Sequence, residues 1–317
     1  MWWTNLIFFI VTCAVLFGSG TFLVKSLKKI SAFLNISEFT AAFIIMAIAT
    51  SLPEIFVGIN SALAKNTALA FGNVIGSNIA DFALVGGIMI LLARGIKIEK
   101  KDIKIDSLYL IPVVLLPLIL FFIGNSLNQI DGIILIVVFC LYSWRILRRR
   151  KKFKKPLEKE TRIKRHEIVI YSIIFIISLI LLFVSSHFVV KYASLLAIDF
   201  MLPPIVIGLF LIAVGTSLPE LAFESRAAQL GHGEMALGDL IGSVVANSTL
   251  VLGITAIIFP ITANLMLFVI SAIYLLLLTF LFATFIHSGS KLYVMEGIAL
   301  VLLYIFFIFI QLYLGFI

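Results

Sequence analysis

Apolar runs about 20 residues long, the length of one helical bilayer crossing, recur along the whole chain. Ten can be drawn, near 3–24, 37–62, 67–93, 107–124, 129–147, 167–190, 203–229, 235–259, 264–286 and 292–315. Short polar or basic connections separate them. Strand-period alternation is absent, which argues against a barrel. The pattern predicts an all-α polytopic membrane protein with ten transmembrane helices. The first run has no basic residue ahead of it and KSLKK after it, the reverse of a cleaved secretory signal, so it reads as the first membrane helix.

Polar residues break this pattern at two matched places. Thr50 to Asp81 reads TSLPEIFVGINSALAKNTALAFGNVIGSNIAD, and Thr216 to Asn247 reads TSLPELAFESRAAQLGHGEMALGDLIGSVVAN. Thr50 pairs with Thr216, Pro53 with Pro219, Glu54 with Glu220, Gly76 with Gly242 and Ser77 with Ser243, all at one offset. The copies fall five predicted spans apart. Five is odd, so they enter the membrane in opposite directions. The expected architecture is two inverted five-helix repeats, residues 1–147 and 167–317, joined by a basic cytoplasmic loop over 148–166. The matched stretches occupy about 40–92 and 206–258. Inverted repeats recur in secondary transporters, which bind substrate near the midplane where the repeats meet.

Composition supports the membrane reading: 62% of the 317 residues are hydrophobic and only 13% are charged, too few for a water-covered domain of this length. The net charge of +8 does not imply nucleic acid, because most of the excess lies in the run from Arg145 to Arg165. With both termini outside the cell membrane, all 24 basic residues except Lys65 and Lys191 fall on or near the cytoplasmic side, as the positive-inside rule requires. The partner is the lipid bilayer, and no obligatory protein partner is implied. Cys13 and Cys140 lie inside apolar spans and read as packing residues.

The chemistry sits in the repeated stretch. A proline within a helix removes a donor and loosens the carbonyls one turn before it. Pro53 is expected to do this around Ala47, Ala49 and Thr50, and Pro219 around Ala213, Gly215 and Thr216. One such proline is an ordinary kink; two in matched TSLPE contexts point to freed carbonyls that a cation can bind. Glu54 and Glu220 fall near mid-span, where an ionised carboxylate costs a few kcal/mol unless paired or hydrated, and no lysine or arginine lies at that depth. Thr50, Ser51 and Glu54 share one helix face, as do Ser77 and Asp81 on the next span. Their mirrors are Thr216, Ser217, Glu220, Ser243 and Asn247. This all-oxygen set suits hard cations such as Ca²⁺ and Na⁺. Gly72, Gly76, Gly238 and Gly242 have the spacing of close helix packing.

Other residues carry weaker signals. Asp239 mirrors Asn73 near a membrane face and is expected to be solvated, and Glu224 is expected to pair with Arg226 or reach water. His166, His187, His232 and His287 receive no role. The chain lacks the nucleophile elbow or metal-protease pair of a hydrolase, so it does not read as an enzyme and implies no cofactor.

These motifs resemble the cation/Ca²⁺ exchanger superfamily, and most closely its prokaryotic Na⁺/Ca²⁺ exchanger branch, whose signature is TSLPE followed by GxxxGSxxxD/N in both halves. The resemblance implies ten helices, four cation positions in a diamond, and alternating access by sliding of the long first and sixth spans. Carried over by motif, Ca²⁺ would lie on Glu54 and Glu220 with the carbonyls of Thr50 and Thr216. One Na⁺ site would use the Ala47 carbonyl, Glu54, Ser77, Thr216 and Ser217. The other would use Thr50, Ser51, the Ala213 carbonyl, Glu220 and Ser243, with a middle position among Glu54, Asp81, Glu220 and Asn247. Two departures stand out: Ala49 replaces the glycine usual before TSLPE, and Asp81 and Asn247 reverse the order associated with the archaeal exchanger. The implied function is Na⁺/Ca²⁺ antiport by alternating access, with one midplane site shared by both ions. The alternative is a Ca²⁺/H⁺ exchanger of the same fold, which is expected to carry a glutamate where this chain has GNVIGSN and GDLIGSV.

Overall fold

The computed structural model describes residues 2–34, 36–65, 67–98, 101–148, 165–199, 217–262 and 265–315. Helices dominate. α1 is Trp2–Leu34, α2 Glu38–Thr50, α3 Leu52–Leu63, α4 the helical stretch 67–92, α5 Lys101–Gly124 and α6 Gln129–Arg148. α7 is Arg165–Asp199, α8 Leu218–Gln229, α9 Gly233–Ile258, α10 Leu265–Ser288 and α11 Val294–Gly315. Eight helices among the described residues are long and apolar enough to cross a membrane, or nine if α2 and α3, bent by 42° at Ser51, form one crossing. Of the span expected over 203–229, only the part from Ser217 onward is described; Ala213 and Thr216 lie outside the described residues.

α1 and α7 are longer than the apolar runs that mark them. At 1.5 Å per residue, their 33 and 35 residues extend about 50 Å each, well beyond a hydrocarbon core of about 30 Å. Hydropathy marks the crossing and not the helix end. α1 continues past Lys25, Lys28 and Lys29 because Leu23, Val24 and Leu27 on its other face are completely buried. The two helices pack antiparallel: Asn5 Nδ2 donates to Asp199 Oδ2 at 2.8 Å, and Phe8 stacks on Tyr192 with ring centroids 5.1 Å apart.

α4 and α9 form the centre. In each, 78% of the apolar window is buried, against 22–44% in the other candidate crossings. The outer helices expose Phe22, Ile123, Ile177, Phe280 and Phe309, as a lipid-facing surface requires.

The connections gather at two ends of the bundle. At one end, His232 Nδ1 lies 2.8 Å from Glu38 Oε2, and Gly233 packs against the Ile96 side chain. There too, Ile96–Lys97 pairs antiparallel with Lys291–Leu292, and Lys104 donates to the Gly289 carbonyl. At the other end, Leu127 bridges Ile261, and Thr67 Oγ1 donates to Pro260 O at 3.0 Å. The α3–α4 turn therefore closes at one end and the α8–α9 turn at the opposite end. Arg145 anchors a further boundary: its guanidinium lies 3.5 Å from the Tyr109 ring centroid and 3.9 Å from Asp106.

Candidate cation site

Both TSLPE segments start a new helix. Ser51 (φ −77°, ψ 3°) and Ser217 (φ −91°, ψ 8°) precede α3 and α8, and Pro53 and Pro219 occupy the first turns. A proline is tolerated there because its missing N–H had no intrahelical acceptor. Each break also places a glutamate, Glu54 or Glu220, in the first turn, at the positive end of its helix. The Ala47 carbonyl, expected to be loosened, accepts the Ser51 N–H at 3.1 Å and faces the Thr50 hydroxyl at 3.4 Å. The facing helices carry π-helical turns at matched places, Asp81–Val85 in α4 and Ala246–Val251 in α9. Such turns re-aim side chains and recur at functional sites.

Residues from the two stretches meet. Ser77 Oγ donates to Glu54 Oε1 at 3.3 Å, Thr50 Oγ1 lies 3.3 Å from Ser243 Oγ, and Asn78 Nδ2 donates to Ser248 Oγ at 2.8 Å. The Glu54 carboxyl is close enough to Glu220 and Asp81 for direct electrostatic coupling, and the Ser217 hydroxyl stands beside Asp81. Thr50, Ser51, Glu54, Ser77, Asp81, Ser217, Glu220, Ser243 and Asn247 are each exposed by 4% or less. Ser51 Oγ, Glu54 Oε2, Asp81 Oδ1, Glu220 Oε2 and Asn247 Oδ1 have no hydrogen-bond partner among the described residues. Nor does any lysine, arginine or histidine among them form an ion pair with these acids. The lining is oxygen donors of mixed type, and among the described residues no three carboxyl, imidazole or thiol groups converge to cage one ion.

The glycine spacing works differently in the two halves. A Cβ on Gly242 would lie 2.5 Å from Ala47 Cβ and 2.9 Å from Phe43 O, and one on Gly238 would lie 2.5 Å from Phe39 O. These two glycines let α9 run directly under α2. Gly72 and Gly76 have no such neighbour among the described residues, and the segment that mirrors α2 there, near 205–213, lies outside them.

Two expectations are overturned. Glu224 and Asp239 are neither solvated nor paired with Arg226: both are 0% exposed, and all four of their carboxyl oxygens lack a partner among the described residues. Arg226 turns away, its Nε bonding Thr21 Oγ1 at 2.8 Å and its Nη1 bonding Gln229 Oε1 at 2.8 Å. Proximity to the 230–232 turn suggested a membrane face, and Leu230 and Gly231 are exposed there, but the two acids lie inside the bundle, where α1 and α4 pack on α8 and α2 and α5 pack on α9. The sequence signal that marks the pair is asymmetry: Gly58 and Asn73 occupy the mirrored positions. His232, given no role, contacts Glu38 of α2.

A helical membrane bundle whose centre is a buried, oxygen-lined and cation-free cluster of acids has the architecture of a cation transporter. Known proteins agree. The family described as sodium/calcium exchanger protein matches residues 4–148 and 170–313, and the chain belongs to that family, which consists of transporters and not catalysts. The uncharacterized membrane protein MJ0091 of Methanocaldococcus jannaschii is 30% identical over 290 residues, 91% of each chain. The sodium/calcium exchanger MaX1 of Methanosarcina acetivorans is 25% identical over 354 aligned positions, 98% of this chain and 99% of that one. Among solved structures, the sodium-calcium exchanger NCX_Mj superposes with a TM-score of 0.81 at 27% identity, covering 96% of this chain and 98% of its own. Cation/Ca²⁺ exchange is thus the activity class.

Proposed function

We propose that this protein is a Na⁺/Ca²⁺ antiporter of the cell membrane working by alternating access. It would be built as ten helices in two inverted halves, 1–147 and 167–317, around the basic cytoplasmic loop 148–166, with both termini outside. Three observations support that architecture: the α3–α4 and α8–α9 turns close at opposite ends, the 96–97/291–292 and 127/261 pairings fall at near-mirrored positions, and the family matches the chain as two segments.

The reading rests above all on Glu54 and Glu220, two buried acids from the two stretches that lie near each other, each with an unpartnered oxygen and no ion-paired basic side chain among the described residues. Two carboxylates neutralise one Ca²⁺, with the carbonyls of Thr50 and Thr216 completing its oxygen shell. Na⁺ would reuse the same oxygens with Ser77, Ser217, Ala47, Ser51, Ser243 and Ala213, and Asp81 and Asn247 would bound the middle position. Shared ligands make the two loads mutually exclusive. An empty site would leave buried negative charge uncompensated, so loaded forms reorient and the empty form does not. That is coupled exchange driven by the sodium gradient. The α1–α7 pair, long and packed along its length, is the element suited to slide.

The test is ⁴⁵Ca²⁺ uptake into proteoliposomes preloaded with Na⁺, against vesicles preloaded with K⁺ or given only a pH gradient. Uptake that requires internal Na⁺ is expected. Uptake driven by the pH gradient alone would overturn sodium coupling in favour of Ca²⁺/H⁺ exchange.

A further inference from the structure

The second motif hairpin holds two acids that the shared central site does not use. α8 and α9 are joined by a short turn at 230–232, with Glu224 six residues before it and Asp239 seven residues after it. Glu220 and Ser243 stand one helical turn further from it. The equivalent register holds in the first hairpin, where Ser77 donates to Glu54. Glu224 and Asp239 therefore face each other about 6 Å along the helix axes from Glu220 and Ser243, on the side of the 230–232 turn. The acids feel each other's charge directly. Both are wholly buried, and every carboxyl oxygen is without a hydrogen-bond partner among the described residues. The charge of Asp81, on α4, is also felt by both acids, and Asp81 is itself 1% exposed with Oδ1 unpartnered among the described residues.

Two buried acids with four unused oxygens, and no basic group paired with them among the described residues, need bound protons or a cation to offset their charge. The nearest cations by sequence point elsewhere, Arg226 to Thr21 and Gln229, and His232 to Glu38. A hard divalent ion matches two carboxylates in charge and in ligand type. The first hairpin has no such pair: Gly58 and Asn73 stand at the equivalent places, and the space beside Gly58 is filled by Thr255. We propose that Glu224 and Asp239 form a second Ca²⁺ site, one helical turn from the central one toward the 230–232 turn and present in one half of the molecule only. It rests on the exchanger reading, and it places a bound ion on the path between the central site and the end of the bundle where Glu38, Ile96 and Lys291 gather.

The experiment is equilibrium ⁴⁵Ca²⁺ binding to the purified full-length protein in Na⁺-free detergent, with thermal unfolding measured with and without Ca²⁺. Asp239→Asn and Glu224→Gln keep the shape of each side chain and remove its charge. Each is expected to lose roughly one bound Ca²⁺ per chain relative to the wild type. Each is also expected to melt higher than the wild type without Ca²⁺ and to gain less from adding it. Glu54→Gln should lose the other ion and leave this one. Wild-type protein that binds no Ca²⁺ would overturn the exchanger reading along with this site. Loss of binding in Glu54→Gln, with the count unchanged in both Asp239→Asn and Glu224→Gln, would overturn the second site alone. Should one of the two variants fail to fold, the other carries the same expectation.

Discussion

The two motif hairpins share their inner ends and differ one helical turn outward. At the inner end, Ser51, Glu54 and Ser77 of the first are matched by Ser217, Glu220 and Ser243 of the second, and all six are buried. One turn away the first hairpin has Gly58 and a half-buried Asn73, while the second has the completely buried pair Glu224 and Asp239. The surroundings differ in the same way. α9 lies under α2 with Gly238 and Gly242 against its backbone, so its residues from Met235 to Thr249 are buried without exception. Gly72 of α4 is exposed. What the halves share is the chemistry of the proposed central site; what they do not share is the next helical turn, where one half carries two wholly buried acids and the other carries none.

The largest expected effect removes what the halves share. Glu54→Gln and Glu220→Gln each take one negative charge from the central pair. Each should lower Ca²⁺ affinity by about 2–5 kcal/mol, roughly 30- to 4,000-fold, and abolish Na⁺-dependent ⁴⁵Ca²⁺ exchange. If the halves are equivalent at the midplane, the two losses will be comparable; exchange that survives in either variant breaks the equivalence.

Next in size is the packing of α9. Gly242→Ala would push a methyl group against Ala47 Cβ and the Phe43 carbonyl, at the helix that ends in Thr50 and Ser51. Overpacking of this kind costs about 1–3 kcal/mol. Thermal unfolding in detergent should show a clear fall, and exchange should fall with it, because α2 carries Ala47 and Thr50 of the proposed central site. Unchanged stability would mean that α2 does not rest on α9 as described.

A smaller effect belongs to the contact between α1 and the second hairpin. Arg226 Nε donates to Thr21 Oγ1, and Gly20 packs against the Ala222 carbonyl. The mirrored positions of Thr21 and Arg226 hold His187 and Asn60, so the first hairpin has no arginine at this place. Thr21→Val removes the acceptor and keeps the shape. Its cost is about 1 kcal/mol in stability, and because the bond ties α1, proposed to slide, to α8, a several-fold change in exchange rate without a change in Ca²⁺ affinity is expected. A parallel change in affinity would place Thr21 in the site and not in the motion.

Much of this was legible in the sequence, and the reason lies in the bilayer. A membrane span must be apolar, so polar residues such as Glu54, Ser77 and Asn247 stand out, and their repetition at one offset identifies the stretches that meet. Tertiary closure was not legible. The real lengths of α1 and α7 depend on burial of residues such as Leu27 against neighbours, not on hydropathy. The burial of Glu224 and Asp239 depends on helices packed beside α8 and α9, which are remote in sequence from both. A distance along one helix from a turn predicts depth only where no other helix packs beside it; here Leu230 and Gly231 in the turn are exposed and the acids inside it are not.

The smallest expected effect sharpens the comparison most. Asn73→Asp gives the first hairpin the acid that the second carries at Asp239. Asn73 is half-buried beside an exposed Gly72, with its Nδ2 buried and without a hydrogen-bond partner among the described residues, so an isosteric carboxylate is only partly hydrated and the change should alter stability by no more than about 1 kcal/mol. It should also bind no additional Ca²⁺. The residue across the hairpin is Gly58, which has no side chain, and Thr255 fills the space where one would go. One carboxylate with no second acid facing it neither balances a divalent charge nor supplies enough oxygens to replace its hydration. Equilibrium ⁴⁵Ca²⁺ binding on this variant therefore asks whether a single acid at that depth is enough. A gain of bound Ca²⁺ would show that it is, and the asymmetry between the hairpins would then rest on Asp239 alone and not on its pairing with Glu224.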